Sequence, residues 1–148
     1  MNISDILSLE RIDCNCSGAS KKAALEALSG LISTSDSELA QLDVFDSLLA
    51  RERLGSTGLG HGVALPHGRL DENGKTLGAF IRLTRGIDYD APDQKPVDIL
   101  FALLVPKDST DEQLQILSKL AEKFSDPALL ENLRSYSSPD QVLSLLSD

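Results

Sequence analysis

The 148-residue sequence has no tryptophan, one methionine, two cysteines and only 4% aromatic residues. Basic side chains are scarce as well, with 14 Lys and Arg against 23 Asp and Glu for a net charge of −9. The two cysteines, Cys14 and Cys16, cannot supply the disulfide framework of a small secreted fold. A strand through them would turn both thiols to one face. Together with His61 and His67 they make four zinc-type ligands, but one intervening residue is shorter than the spacing of a zinc knuckle. Buried thiols are expected, and no metal. The acidic balance disfavours a nucleic-acid partner, because binding a phosphate backbone depends on Lys and Arg releasing counterions. Anionic membrane surfaces are disfavoured for the same reason. The longest unbroken apolar run, Ile99 to Pro106, falls far short of the roughly 20 residues that span a bilayer, so direct membrane insertion is excluded. The start, MNISDILSLER, lacks the basic opening and long apolar stretch of a signal peptide, and a cytoplasmic location is expected.

What is present suits one globular domain over residues 1–148, with 41% hydrophobic and 25% charged residues. Helix signals recur with their caps. Ser17 or Ser20 opens a segment ending near Ser33, with Ala24, Ala27, Leu28, Leu31 and Ile32 on one face. Ser35 with Glu38 reads as a capping box for a second helix, striped by Leu39, Leu42, Phe45, Leu48 and Leu49, that reaches Arg53 and stops at Gly55. Ser109 with Glu112 opens a third, striped by Leu114, Leu117, Leu120, Ala121 and Phe124. Asp126-Pro127 and Ser138-Pro139 each set a cap before a first-turn proline, and a short helix is expected at Ser4 to Leu9. Strands are predicted at Ile12 to Cys16, Val63 to Leu65, Gly78 to Thr84, Gly86 to Tyr89 and Val97 to Val105. Helices flanking a strand-rich centre point to a three-layer α/β/α sandwich around a central mixed β-sheet.

The stretch that carries chemistry is Arg51 to Arg69, RERLGSTGLGHGVALPHGR. It holds both histidines and five of the ten glycines; three arginines against one glutamate give it a formal +2, leaving −11 for the rest. A cationic zone with permissive backbone suits an anion. Gly55, Gly58, Gly60 and Gly62 either turn backbone N–H groups toward such an anion or simply build tight turns. No Walker motif follows them and the G-x-G-x-x-G spacing fails, so a nucleotide fold is not expected. His67, between Pro66 and Gly68 at the end of a predicted strand, is either a structural imidazole or a nucleophile whose lone pair is available near pH 7. Arg51, near the C-terminus of the second helix, could hold two phosphate oxygens at once. Arg53 and Arg69 are alternatives that read better as solvated charges. A hydrolase using His67 as general base lacks a matching Ser or Cys elbow.

Arg51-Glu-Arg-Leu-Gly-Ser-Thr-Gly-Leu-Gly followed by Val-Ala-Leu-Pro-His67-Gly resembles enzyme IIA of the fructose/mannitol-type phosphotransferase system, and within it the nitrogen-related subgroup. Ser20 to Leu25, Pro96 to Pro106 and Leu114 to Leu120 carry the likeness across nearly the whole chain. The resemblance implies a phosphocarrier in which His67 takes a phosphoryl group on Nε2 from a small HPr-like phosphocarrier protein, charged in turn by an enzyme I from phosphoenolpyruvate. It implies Arg51 as the phosphate partner, with Gly58, Gly60, His61 and Gly62 as loop support. Sugar-transporting relatives place a second histidine where this chain has Gln113, which leaves Gln113 as a neutral hydrogen-bond donor. No cofactor is implied. The implied regulatory partners include potassium transport and sensor-kinase proteins. Two other readings stay open: a protein-binding module that acts unphosphorylated, and the IIA component of a sugar transporter. With no B or C domain following Asp148, the latter requires separate chains.

Overall fold

The structure, a computed structural model, describes residues 2–70, 74–108, 110–136 and 138–147. Its centre is a sheet of β1 (Ile12–Cys16), β2 (Gly58–Gly60), β3 (Val63–Ala64), β4 (His67–Leu70), β5 (Leu77–Ile87) and β6 (Val97–Pro106). Along the sheet the order is β1-β5-β6-β3-β2, with β4 also pairing β6. β1 runs parallel to β5, β5 antiparallel to β6, and both β3 and β4 parallel to β6. The sheet is therefore mixed. β6 is buried along almost its whole length, which is why Val97 to Val105 reads as a continuous apolar run.

One face is covered by α2 (Lys21–Ser35) and α3 (Gln41–Glu52) through Leu25, Leu28, Ile32, Val44 and Leu48. The other is covered by α1 (Ile3–Ile6), α4 (Thr110–Lys123), α5 (Pro127–Ser135) and α6 (Pro139–Leu146) through Ile3, Ile6, Ile116, Leu120, Phe124, Leu133, Val142 and Leu146. The α/β/α sandwich expected from the sequence is the observed architecture. Burying each such side chain contributes about 1.5–3 kcal/mol before entropic costs, and two apolar layers fix the sheet on which the site is built. Among the described residues, no helix is long and apolar enough to cross a membrane.

Several local expectations hold. Ser20 caps α2 by accepting from the Ala23 amide, and Asp126 and Ser138 cap the two proline-led helices. Others are corrected. Ser35 does not open α3: it is the last residue of α2, its hydroxyl bonded back to Ile32 O at 2.8 Å, and α3 begins after Ala40 with no side-chain cap. The expected cap of α4 falls on Ser109, outside the described residues. Gly78 to Thr84 and Gly86 to Tyr89 are not separate strands, since β5 runs from Leu77 through Ile87. Cys14 and Cys16 do not share a face. A register shift between Asp13 and Cys16 inserts an extra residue, so Cys14 enters the core under α4 to α6 and Cys16 the core under α2 and α3.

Candidate functional site

His67 begins β4, not ends a strand as the sequence suggested, and lies opposite Leu103 of β6. Pro66 O accepts the Leu103 amide at 2.9 Å, so the backbone presenting the imidazole is tied to the most buried strand. His67 Nδ1 lies 2.8 Å from Leu65 O. A carbonyl oxygen can only accept, so Nδ1 carries the proton and Nε2 keeps the lone pair. Burial lowers the pKa of His67, and the Arg51 and Arg69 charges push it the same way; the Leu65 carbonyl and the Glu52 charge pull it back up. The half-buried ring thus stays neutral and nucleophilic further into acid than a free imidazole.

Gly68 matters for being small. A Cβ there would meet the Ser47 backbone carbon at 3.0 Å, and Ser47 Oγ donates to Arg69 O at 3.0 Å. α3 therefore packs closely on β4 and carries Arg51 to the cleft that holds His67. Arg51 Nη1 donates to Gly55 O at 2.9 Å, which orients the guanidinium over the start of the glycine-rich loop. Thr57, Gly58, Leu59, Leu114 and Leu117 line the same cleft, an open hollow of about 440 Å³.

Not every candidate joins it. His61 and Gly62, at φ of 57° and 82°, form the two-residue turn between β2 and β3, a geometry that needs positive φ at both central positions. The His61 amide donates to Asp93 at 3.2 Å and its carbonyl accepts from Arg134 at 2.7 Å, while its side chain borders a different cavity beside α5. Gly60, at φ 91°, approaches Asp93. Of the four residues expected as loop support, only Gly58 reaches the His67 cleft. Gln113 is buried at the start of α4, and its Oε1 accepts from Arg69 Nε at 2.8 Å, which leaves its amide protons out of that bond. Arg69 is exposed, as the reading of a solvated charge expects, but its Nε is held by Gln113. α4 also departs from its expected stripe. Ile116, Leu120 and Phe124 are buried, whereas Leu114 is 62% exposed on the rim of the cleft.

The residue that sequence reasoning passed over is Glu52. It is 5% exposed, and its carboxylate accepts from the Thr57 amide at 3.0 Å, from the Thr57 hydroxyl and from the Tyr89 hydroxyl at 3.0 Å. Lys21 Nζ sits 2.9 Å from it and 4.5 Å from the centroid of the Tyr89 ring. Burial and the neighbouring Glu52 charge raise the pKa of Tyr89 so far that the phenol remains a donor. Four groups, one from α2, two from the loop and one from the segment after β5, thus converge on the one carboxylate at the end of α3 and pin Thr57 beneath the cleft. A signal was available: Glu52 is the single acid in Arg51 to Arg69, and it continues the i, i+4 face of Val44 and Leu48 into the core.

Residues 5–148 match the family model described as "Phosphoenolpyruvate-dependent sugar phosphotransferase system, EIIA 2". A protein named "Nitrogen regulatory protein" from Escherichia coli (strain K12) is 39% identical over 153 aligned residues, covering 100% of this chain and 91% of that protein. The crystal structure of nitrogen regulatory protein IIA-Ntr from Neisseria meningitidis superimposes with a TM-score of 0.92 at 46% identity, over 97% of this chain and 98% of the other. IIA mannitol from Escherichia coli shares the fold, with a TM-score of 0.78 at 23% identity over 95% and 98% of the two chains. The chain belongs to the EIIA 2 family of the phosphoenolpyruvate-dependent sugar phosphotransferase system.

Proposed function

We propose that this protein is a regulatory phosphocarrier of the nitrogen-related phosphotransferase branch. It accepts a phosphoryl group on His67 Nε2 from an HPr-like carrier protein, and its phosphorylation state governs its binding to target proteins. The observation that carries the reading is the Nδ1 hydrogen bond to Leu65 O, which leaves Nε2 as the basic nitrogen in a cleft beside Arg51.

The step balances without a metal or organic cofactor. The Nε2 lone pair attacks phosphorus in line while the bond from phosphorus to the donor imidazole nitrogen breaks, its electron pair returning to that nitrogen. His67 becomes cationic on the ring and keeps its Nδ1 proton, and Leu65 O accepts that proton's hydrogen bond throughout. One phosphorus–nitrogen bond replaces another, so the protein's task is positioning and offsetting charge on the phosphoryl oxygens. Arg51 supplies the charge, and Gly58, whose lack of a side chain lets the loop pack against Ala91, lines the cleft beside it. Leu59 and Leu114, 41% and 62% exposed on the cleft rim, offer an apolar surface for a protein donor.

The test is incubation with phosphoenolpyruvate, enzyme I and the HPr-like carrier, followed by mapping of acid-labile phosphate. Stoichiometric label lost in His67→Ala supports a carrier. Absence of label, with target binding indifferent to His67→Ala, points instead to a binding module that acts unphosphorylated.

A further inference from the structure

His67 and Arg69 stand two positions apart on β4, so strand alternation sends both side chains to the side opposite Gly68. Gly68 faces Ser47 of α3; the other side meets the start of α4. There Arg69 Nε donates to Gln113 Oε1 at 2.8 Å, and Gln113 is 6% exposed. Nε is the inner nitrogen of the guanidinium fork. Engaging it fixes the plane of the fork while both Nη groups stay out of that bond. The partner's chemistry also matters: a carboxylate at position 113 would cancel the cation, whereas a buried neutral amide holds it and leaves its charge available for an anion.

We propose that Arg69 joins Arg51 as a second cation on the phosphoryl group carried by His67, and that Gln113 is the positioning residue that aims it. This rests on the phosphocarrier reading above. Phosphoryl transfer spreads negative charge over three equatorial oxygens, more than one guanidinium can satisfy, and a cation on a neighbouring position of the same strand is held in register with the nucleophile. The charged groups bearing on His67 are Arg51 and Glu52 from α3 and Arg69 from its own strand, while α4 presents neutral Gln113, Leu114 and Leu117. Both arginines act on the imidazole with the same sign, as expected if both lie within electrostatic reach of Nε2.

The experiment charges His67 in two ways, with the phosphorylated HPr-like carrier and with phosphoramidate, whose small size removes any effect on protein docking. Wild type, Arg69→Ala, Arg69→Lys, Gln113→Leu and Gln113→Glu are compared, with Arg53→Ala as the control. Arg69→Ala is expected to slow both reactions about tenfold, with Lys recovering part of the loss. Gln113→Glu, which keeps Arg69 but gives it a carboxylate partner, slows them in the same direction, and Gln113→Leu falls between. Phosphorus NMR of phospho-His67 gives a readout that a purely structural role would not move. Removing a cation raises the pH at which the phosphoryl group takes its proton, so the titration midpoint shifts upward in Arg69→Ala. Rates within twofold of wild type with an unmoved midpoint overturn the proposal. A wild-type chain that takes no label on His67 overturns the phosphocarrier reading and this proposal with it, whereas a labelled wild type beside an unaffected Arg69→Ala removes this proposal alone.

Discussion

Replacing Glu52 by Gln keeps the shape of the side chain and removes one charge from the end of α3. The carboxylate accepts from the Thr57 amide, the Thr57 hydroxyl and the Tyr89 hydroxyl, and it pairs with Lys21. A glutamine offers one oxygen and an NH2 group, so at least one of these donors must face another donor. Breaking a buried pair by removing one partner costs about 3–5 kcal/mol. Lys21 keeps 23% side-chain exposure, a hydrogen bond to Tyr89 O and its place over the Tyr89 ring, which brings the expected loss for Glu52→Gln to about 2–3 kcal/mol. Urea unfolding reads this as a lower midpoint with an unchanged slope, a shift of about 1–2 M for a chain of this size. Lys21→Met combined with Glu52→Gln completes a double-mutant cycle, in which the two losses should fall well short of adding. Because the same carboxylate holds the Thr57 amide, Glu52→Gln also loosens the loop beneath the cleft and slows phosphoryl acceptance. A destabilisation below about 0.5 kcal/mol, the level of an ordinary surface change, would refute the assignment of this network as the anchor of the loop.

Arg51→Ala should slow transfer about ten- to a hundredfold, the effect of losing a charge-assisted contact of about 1.5–3 kcal/mol in the transition state, while Arg51→Lys recovers part and Arg53→Ala stays within twofold. Single-turnover transfer measures all three, and a larger loss at Arg53 would remove Arg51 from the site. Attack needs neutral imidazole, so the rate falls as pH drops through the pKa of His67. Burial and two arginines depress that pKa, which places the acid limb below the ordinary histidine range. Arg51→Ala moves the limb to higher pH and Glu52→Gln to lower pH, and a limb insensitive to both would contradict the electrostatic picture. Gly62→Ala should destabilise the fold by about 1–3 kcal/mol, since it forces a side chain to φ 82° with a Cβ 2.9 Å from Asp98 Oδ1, yet leave the phosphorylation rate of the folded fraction unchanged. Thermal unfolding paired with the labelling rate checks both halves.

The parts of this molecule legible from sequence are those decided by neighbouring residues. Asp126-Pro127 and Ser138-Pro139 announce helix starts because cap and proline act within one turn. The continuous apolar run of β6 announces a strand covered on both faces. The start of α3 was misread because a serine hydroxyl that could cap the next helix instead bonds back into its own, at Ile32 O. The faces of Cys14 and Cys16 were misread because alternation assumes an unbroken ladder and β1 carries a bulge. In the site, Pro-His-Gly and the glycine-rich run made His67 and Arg51 visible, whereas the partners of Glu52 come from Lys21, Thr57 and Tyr89, residues that only the fold brings together. The same holds for Arg69 and Gln113, which lie 44 positions apart. His61 and Gly62 look like site residues in sequence because a turn with two positive φ values and an anion loop draw on similar local signals.

The central claim is that Nε2 of His67 carries the phosphoryl group because Leu65 O holds the Nδ1 proton. It is tested most directly by phosphorylating histidine-15N-labelled protein through the carrier and reading long-range proton–nitrogen correlations with phosphorus coupling. The expected result is phosphorus coupled to Nε2 of His67, with Nδ1 still protonated and the His61 ring unchanged. Coupling to Nδ1 of His67, or to either nitrogen of His61, would contradict it.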